Sequence, residues 1–367
     1  MTWNRRNFLQ AGLSTSLIAA LPRGAAAQHV FTPKPDAWRN FEMVTRVELA
    51  KGQGATQAWV PLPSFSEPEW TRPMGSTWQT NARVAALVRD PKYGAEMLHL
   101  AWDGSEAPMA EVTSKFATRD RAVDLAKVGT PTPLSADERK LYTGATELIP
   151  TEGIVKQTAD MITARARSEH AKARAMYEWI VDNTFRNPKT RGCGVGDIVA
   201  MLKSGDLSGK CADLNALYVG LARSVGLPAR DVYGIRVAPS KFGYRSLGTS
   251  SPIISKAQHC RAEVYLTGLG WVPVDPADVR KVVLEEPPGN LPLSDAKVAA
   301  ARTTLFGAWE MNWAAYNVAH DVKLPGSTGP AVEFLMYPQA EVAGARLDSL
   351  DPDTFKYVIT SKELTSS

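Results

Sequence analysis

The sequence predicts an α+β protein in which a cysteine-bearing helix packs on an antiparallel sheet, preceded by a small β-rich domain. Three observations predict it. Period-two alternation runs through residues 38–125. Helical spacing takes over after Ser168, and its second clear helix opens on Cys211. A short strand-turn-strand pattern follows over residues 258–276.

Residues 1–27 read as an export signal and not as fold. Asn4-Arg5-Arg6-Asn7-Phe8-Leu9-Gln10 resembles a twin-arginine motif, an apolar stretch runs from Phe8 to Leu21, and Ala25-Ala26-Ala27 supplies small residues for cleavage. The mature chain is expected to start near Gln28, in the periplasm or otherwise outside the cytoplasm. Past that point no apolar run reaches the roughly 20 residues a bilayer span needs. Arg5, Arg6 and Arg23 carry three of the +4 formal charges, which leaves +1 for the mature chain and no footprint for nucleic acid. At 367 residues, 44% of them hydrophobic, there is material for two domains.

In the β-rich domain, expected over 28–126, Phe41, Met43, Thr45, Val47 and Leu49 alternate with more polar neighbours. Lys51-Gly52-Gln53-Gly54 is turn material, and Ala55–Val60 is expected to return as a second strand. Leu98, Leu100 and Trp102 alternate again, with His99 on the other face. Residues 127–152, rich in Gly, Pro and Thr, are expected to form a linker. From 153 to 367 one α+β catalytic domain is expected. There Ser168 caps a helix with Ala173, Met176, Tyr177, Ile180 and Val181 on one stripe. Cys211 opens the next, with Leu214, Leu217, Tyr218, Leu221 and Val225 on its buried face, ended by Gly226 and Pro228. Strands are expected near 230–238, 259–266, 271–275, 309–318, 331–336 and 355–360, with a helix after Ser294.

The chemistry begins at Ser208-Gly209-Lys210-Cys211. A thiol at a helix N-terminus meets unpaired amides that favour its thiolate, the reactive form. Taken alone, this cysteine reads more simply as a small buried hydrophobe. His259 near the start of the downstream hairpin and Asp275 near its end change that reading. Asp275 can hold one imidazole nitrogen and leave the other for the thiol. A two-residue turn at Gly268-Leu269 would pair Asp275 with Ala262 and put His259 on the wrong face. Direct opposition of His259 and Asp275, centred on Thr267, is the arrangement the chemistry asks for.

These segments resemble the transglutaminase-like superfamily, whose core is similar to the papain fold. Gly209–Asp213, Leu221–Arg230, His259–Leu266 and Gly270–Pro276 carry the resemblance, within a core of about 175–280. It implies Cys211 as nucleophile, His259 as base and Asp275 as the third member. Cys260-Arg261 stands where the family often has Ala-Trp. The activities implied are peptidase or amidase, with a thioester intermediate on a peptide or protein substrate. Glutamine acyl transfer and a non-enzymatic binding module are the alternatives. No cofactor is called for, and no calcium loop of alternating acids supports the transferase.

Cysteine parity in an oxidising compartment expects Cys193 and Cys260 to bridge, with Cys211 free; two buried thiols are the alternative. Zinc on the three cysteines and His259 is disfavoured, because no C-x-x-C or H-x₃-H spacing is present. His29, His99, His170 and His320 read as structural or surface residues. Trp309, Trp313 and Tyr316 read as core or cleft wall. Asp213 and Asn215 are expected to serve the first turn of the Cys211 helix. Asn183 and Gln258 are candidates for oxyanion or orienting groups, with solvated positions the plainer reading of both. The Cys211 amide is the expected oxyanion donor.

Overall fold

The structure, a computed structural model, describes residues 30–51 and 54–365. The export signal and His29 lie outside them. Alternation over Arg39–Glu48 does become a strand, with Phe41, Met43, Thr45 and Val47 buried. It is an inner strand of a four-stranded antiparallel sheet, ordered Lys356–Leu364, Arg39–Glu48, Met109–Thr118, Thr71–Thr80. Thr56–Pro61 does not return beside it. That strand pairs instead with Glu96–Trp102 and with Gln339–Val342, in a separate five-stranded sheet. The reason is a shared core. Val47, Leu49 and Val112 from one sheet meet Val60, Leu98, Leu100 and Ala340 from the other, so the strands face each other across a sandwich.

The β-rich layer therefore takes strands from both ends of the chain, and the boundary expected at 126 does not enclose it. Nor is 127–152 an open linker. Ser135 caps a helix over Ala136–Thr143 with a reciprocal Glu138 bond, and Tyr142 and Ile149 are buried in the main core. Its Gly and Pro residues end local elements; they do not detach the strap from the body.

The second half centres on an antiparallel sheet ordered Gly270–Val274, Gln258–Leu266, Ala229–Arg236, Trp313–Asn317. The helix Cys211–Ser224 lies on it, and the helices Ile154–Thr163 and Glu169–Asn183 pack on that helix in turn. Leu214, Leu217, Tyr218 and Leu221 are buried as expected, but so are the residues between them. A helix covered on all sides holds its first residue in a fixed position. Ser168 caps Glu169–Asn183 by accepting from the Ala171 amide at 3.1 Å, and the expected stripe from Ala173 to Val181 is buried.

Candidate active site

Cys211 is the first residue of its helix and is 3% exposed. Asp213, in the first turn, fixes the approach to it. Its carboxylate accepts from the amides of Lys210 at 2.9 Å and of Val195 and Gly196 at 3.0 Å each. This fit requires two glycines. A Cβ on Gly209 would sit 2.5 Å from that carboxylate, and one on Gly194 would sit 1.9 Å from it. The Ala212 amide donates to Cys193 O, whereas the Cys211 amide has no partner among the described residues.

His259 lies on Gln258–Leu266, where its imidazole neighbours the Cys211 thiol and favours the thiolate. Its Nε2 is 2.8 Å from Asp275 Oδ2 and 3.4 Å from Asp278 Oδ1. That leaves Nδ1 for the sulfur. The hairpin reaches this geometry by neither expected turn. Leu266 pairs with Gly270 around three residues, and the register extended one step sets Asp275 opposite Arg261. Asp275 then leaves the sheet to cap the helix Pro276–Glu285, accepting from the Asp278 amide at 3.0 Å. From that cap it reaches His259 diagonally, so direct opposition is not needed. Asn215 does not serve its own helical turn. Its Nδ2 donates to Cys260 O at 2.8 Å and to Asp275 Oδ1 at 3.4 Å, tying helix, strand and cap together.

Two residues of the site were not anticipated. Asp278 lies one turn beyond Asp275, and Arg236 donates to its two oxygens at 2.5 and 2.7 Å. Burial works against a charged imidazole, but Asp278 and Asp275 outweigh it and raise His259 to about 9. Asp278 stays well below the ordinary aspartate range despite burial, because of Arg236 and His259. Asp275 is raised by burial and by Asp278. His259, Asp275 and Asp278 also bring three ligand atoms within 4.8 Å of one another. Both Asp278 oxygens already serve Arg236, and Asp275 serves His259 and the helix, so these atoms are arranged to hold an imidazole.

All three cysteines are free and buried, so the expected Cys193–Cys260 bridge is not formed. Each of those thiols instead lies near enough to Cys211 to perturb its ionisation and to be perturbed by it. The Cys193 thiol also donates to Gln258 O at 3.3 Å. The neighbouring Cys193, then Cys260, then His259 hold Cys211 well below the usual thiol range against the opposing effect of burial. The proximity of Cys211 and burial push Cys193 well up, and burial leads for Cys260. Of the three thiols, Cys211 is thus the one whose thiolate the surroundings favour.

Gln258 lines the cavity beside Cys211 and is 9% exposed, and its Nε2 has no hydrogen-bond partner. Asn183 lies elsewhere, donating to Trp179 O on an exposed helix face. Trp313 Nε1 donates to His259 O at 2.8 Å, and Arg261 lies over the Trp313 and Trp309 rings at 4.8 and 5.3 Å. The two tryptophans are thus a wall behind the histidine. His320 is buried against Tyr233, and His99 stacks on Trp59, both outside the site.

Residues 156–276 match the model of the transglutaminase-like superfamily. An uncharacterized protein of Haemophilus influenzae is 37% identical over 341 residues, covering 88% of this chain and 91% of its own length. The crystal structure of a candidate cysteine protease from Cytophaga hutchinsonii superposes with a TM-score of 0.54 at 12% identity, over 92% of this chain and 94% of that one. The periplasmic domain of TgpA from Pseudomonas aeruginosa gives a TM-score of 0.33 at 16% identity, over 66% and 88%.

Proposed function

This chain belongs to the transglutaminase-like superfamily, and we propose that it is an exported cysteine hydrolase that cleaves peptide or amide bonds through a thioester on Cys211. The observation that carries the reading is the contact chain from the Cys211 thiol through His259 to Asp275, at the wall of a cavity of about 550 Å³. The cavity fits a segment of a peptide.

In the resting site, the proton sits on His259 and the charge on Cys211. The Cys211 Sγ attacks the scissile carbonyl carbon, forming the C–S bond as the carbonyl π pair moves to oxygen. The oxyanion is received by the free Cys211 amide and by Gln258 Nε2. As it collapses, the C–N bond breaks and the imidazolium gives its proton to the leaving amine. Water then attacks the thioester and passes a proton to His259. Collapse releases the acid and restores thiolate and imidazolium. Asp275 and Asp278 keep the charged imidazole in place throughout. Export follows from the Arg5-Arg6 pair and the Ala25–Ala27 run. In cells making the Arg5→Lys, Arg6→Lys protein, the form starting near Gln28 is expected to vanish from the extracytoplasmic fraction; its persistence there would remove the twin-arginine route.

Incubation with a broad peptide library, with and without an added primary amine, tests the reaction by mass spectrometry. Hydrolysed products that require Cys211 are expected. Amine adducts in place of acids would make the enzyme a transferase, and an unchanged library would leave a binding module.

A further inference from the structure

The wall of the Cys211 cavity has an unusual charge balance. Arg186, Arg191, Lys210, Arg236, Lys256 and Lys281 line it, and among the described residues no aspartate or glutamate does. Three carboxylates stand behind these six cations. Glu285 is shared by Arg186 and Lys281, Asp348 pairs with Arg191, and Asp278 pairs with Arg236. Lys210 and Lys256 have no ion pair among the described residues. Lys281 has only the 3.7 Å contact with the shared Glu285, although its side chain is 18% exposed. Burial, then repulsion from Arg236 and Arg186, lowers Lys281 to about 8. A lysine held this way gains from any anion that arrives beside it. The Cys211 thiolate does not supply that anion, because His259 already compensates it.

Resting on the hydrolase reading, we propose that this wall is a carboxylate subsite: the substrate is an acidic peptide whose free carboxylate seats against Lys210, Lys256 and Lys281 while its scissile carbonyl meets Cys211. Lys281 also lines the adjoining groove, together with Thr249, Arg245 and its own partner Glu285, so it stands where the two cavities join. A carboxylate there lies within the same continuous cleft as the thiol. The charge balance also disfavours a protonated lysine amine as acceptor, in line with hydrolysis over transfer.

The test uses two alkylating reagents of nearly the same shape, iodoacetate and neutral iodoacetamide, with glutathione as the reference thiol. The iodoacetate-to-iodoacetamide rate ratio at Cys211 should exceed that of glutathione by about tenfold at low salt and shrink as salt rises. His259 attracts anions too, so the decisive part is what lysine removal takes away. Lys256→Gln, at an exposed position, should cut the ratio several-fold, the iodoacetamide rate of each variant serving as its own reference for thiol reactivity; Lys281→Gln should cut it further. A ratio equal to that of glutathione, or one indifferent to both substitutions, overturns the carboxylate subsite alone. Failure of Cys211 to outpace Cys193 and Cys260 with iodoacetamide would instead overturn the hydrolase reading beneath it. Protection of Cys211 from iodoacetamide by short peptides then separates the sources. Glu against Gln inside an amidated peptide reports a side-chain carboxylate, and a free acid against its amide reports a chain terminus. Protection by neither acid, at concentrations where the anionic reagent is favoured, would also overturn the peptide assignment.

Discussion

One strand, Gln258–Leu266, carries two buried ionic clusters, and they differ in kind. At one end His259 meets Asp275 and Asp278; two positions past Arg261, Glu263 meets Arg121 and Arg230. Glu263 is fully buried, Arg230 also donates to Glu67 at 2.8 Å, and its guanidinium lies 4.0 Å from the centre of the Trp271 ring. Every charge there has its partner, and the cluster joins the sheet to the strands of the first half. The His259 cluster is equally buried, but it ends on a thiol and opens on a cavity. Burial and charge are common to both. An open side, and a thiol whose charged form its surroundings favour, belong to one.

The comparison breaks most visibly at Cys211. Cys211→Ala should lower turnover by on the order of 10⁴-fold or more, with His259→Ala close behind, because members of such a unit are not additive. Thermal unfolding of Cys211→Ala should barely move. Turnover retained in Cys211→Ala would abolish the distinction. Asp275→Asn should cost less, since asparagine still caps the helix.

At the other end the signs reverse. Glu263→Gln leaves the buried Arg121 guanidinium without a counter-charge and Arg230 with Glu67 alone, and should destabilise by about 3–5 kcal/mol. The kcat of the folded fraction should stay close to wild type. A denaturation curve and an active-site titration separate the two quantities, and a large loss of kcat per titrated thiol would make Glu263 part of the chemistry.

Gln258→Leu sharpens the boundary within the site. It removes one oxyanion donor while keeping the volume, and should lower kcat by about 10²–10³-fold with little change in KM. A change in KM alone would make Gln258 a substrate-binding group.

The smallest effects concern pH, and the two clusters should respond in opposite directions. His259 is raised from 6.5 to about 9, so its stabilisation is complete below 6.5 and is lost as pH rises through about 9. Glu263 is lowered from 4.5 despite burial, because Arg121 and Arg230 pull it down. Its stabilisation is present above 4.5 and fades as pH falls through the lowered value. Unfolding curves of His259→Gln and wild type should therefore converge above pH 9, and those of Glu263→Gln and wild type in acid. Cys211 alkylation should persist well below the usual thiol range and lose part of that advantage in His259→Gln, Cys193 and Cys260 supplying the larger share. A uniform offset across pH would mean that neither group titrates as its surroundings dictate.

The sequence made the three groups of the proposed triad legible because each sits at a local signal: a helix start, a strand start, a hairpin end. Asp278 was readable too. Asp275-Pro276 is an N-cap followed by an N1 proline, which announces a helix and sets Asp278 on its first turn. The convergence of Cys193 and Cys260 on Cys211 has no such signal. It depends on a loop, a strand and a helix meeting in three dimensions, and parity arithmetic counts thiols without locating them. The partners of the first-half strands were hidden for the same reason. Alternation gives the face of a strand and is silent about its neighbour, so Gln339–Val342 beside Thr56–Pro61 could not be read from either segment.

The pairing of Lys356–Leu364 with Arg39–Glu48 has a consequence for the newborn chain. One edge of the early strand is taken by Met109–Thr118 soon after both emerge. The other edge has to wait for residues more than 300 positions later, as the Arg39–Glu363 ion pair at a separation of 324 makes plain. At a synthesis rate of about 5–20 residues per second, that is roughly 15–60 s during which a strand with an apolar inner face presents unpaired amides and carbonyls. The sandwich closes only when synthesis is nearly over. Any factor that shields a sheet edge during that interval should raise the yield of folded protein, and a chain lacking its last dozen residues should aggregate even though the strand of His259 and the helix of Cys211 are intact.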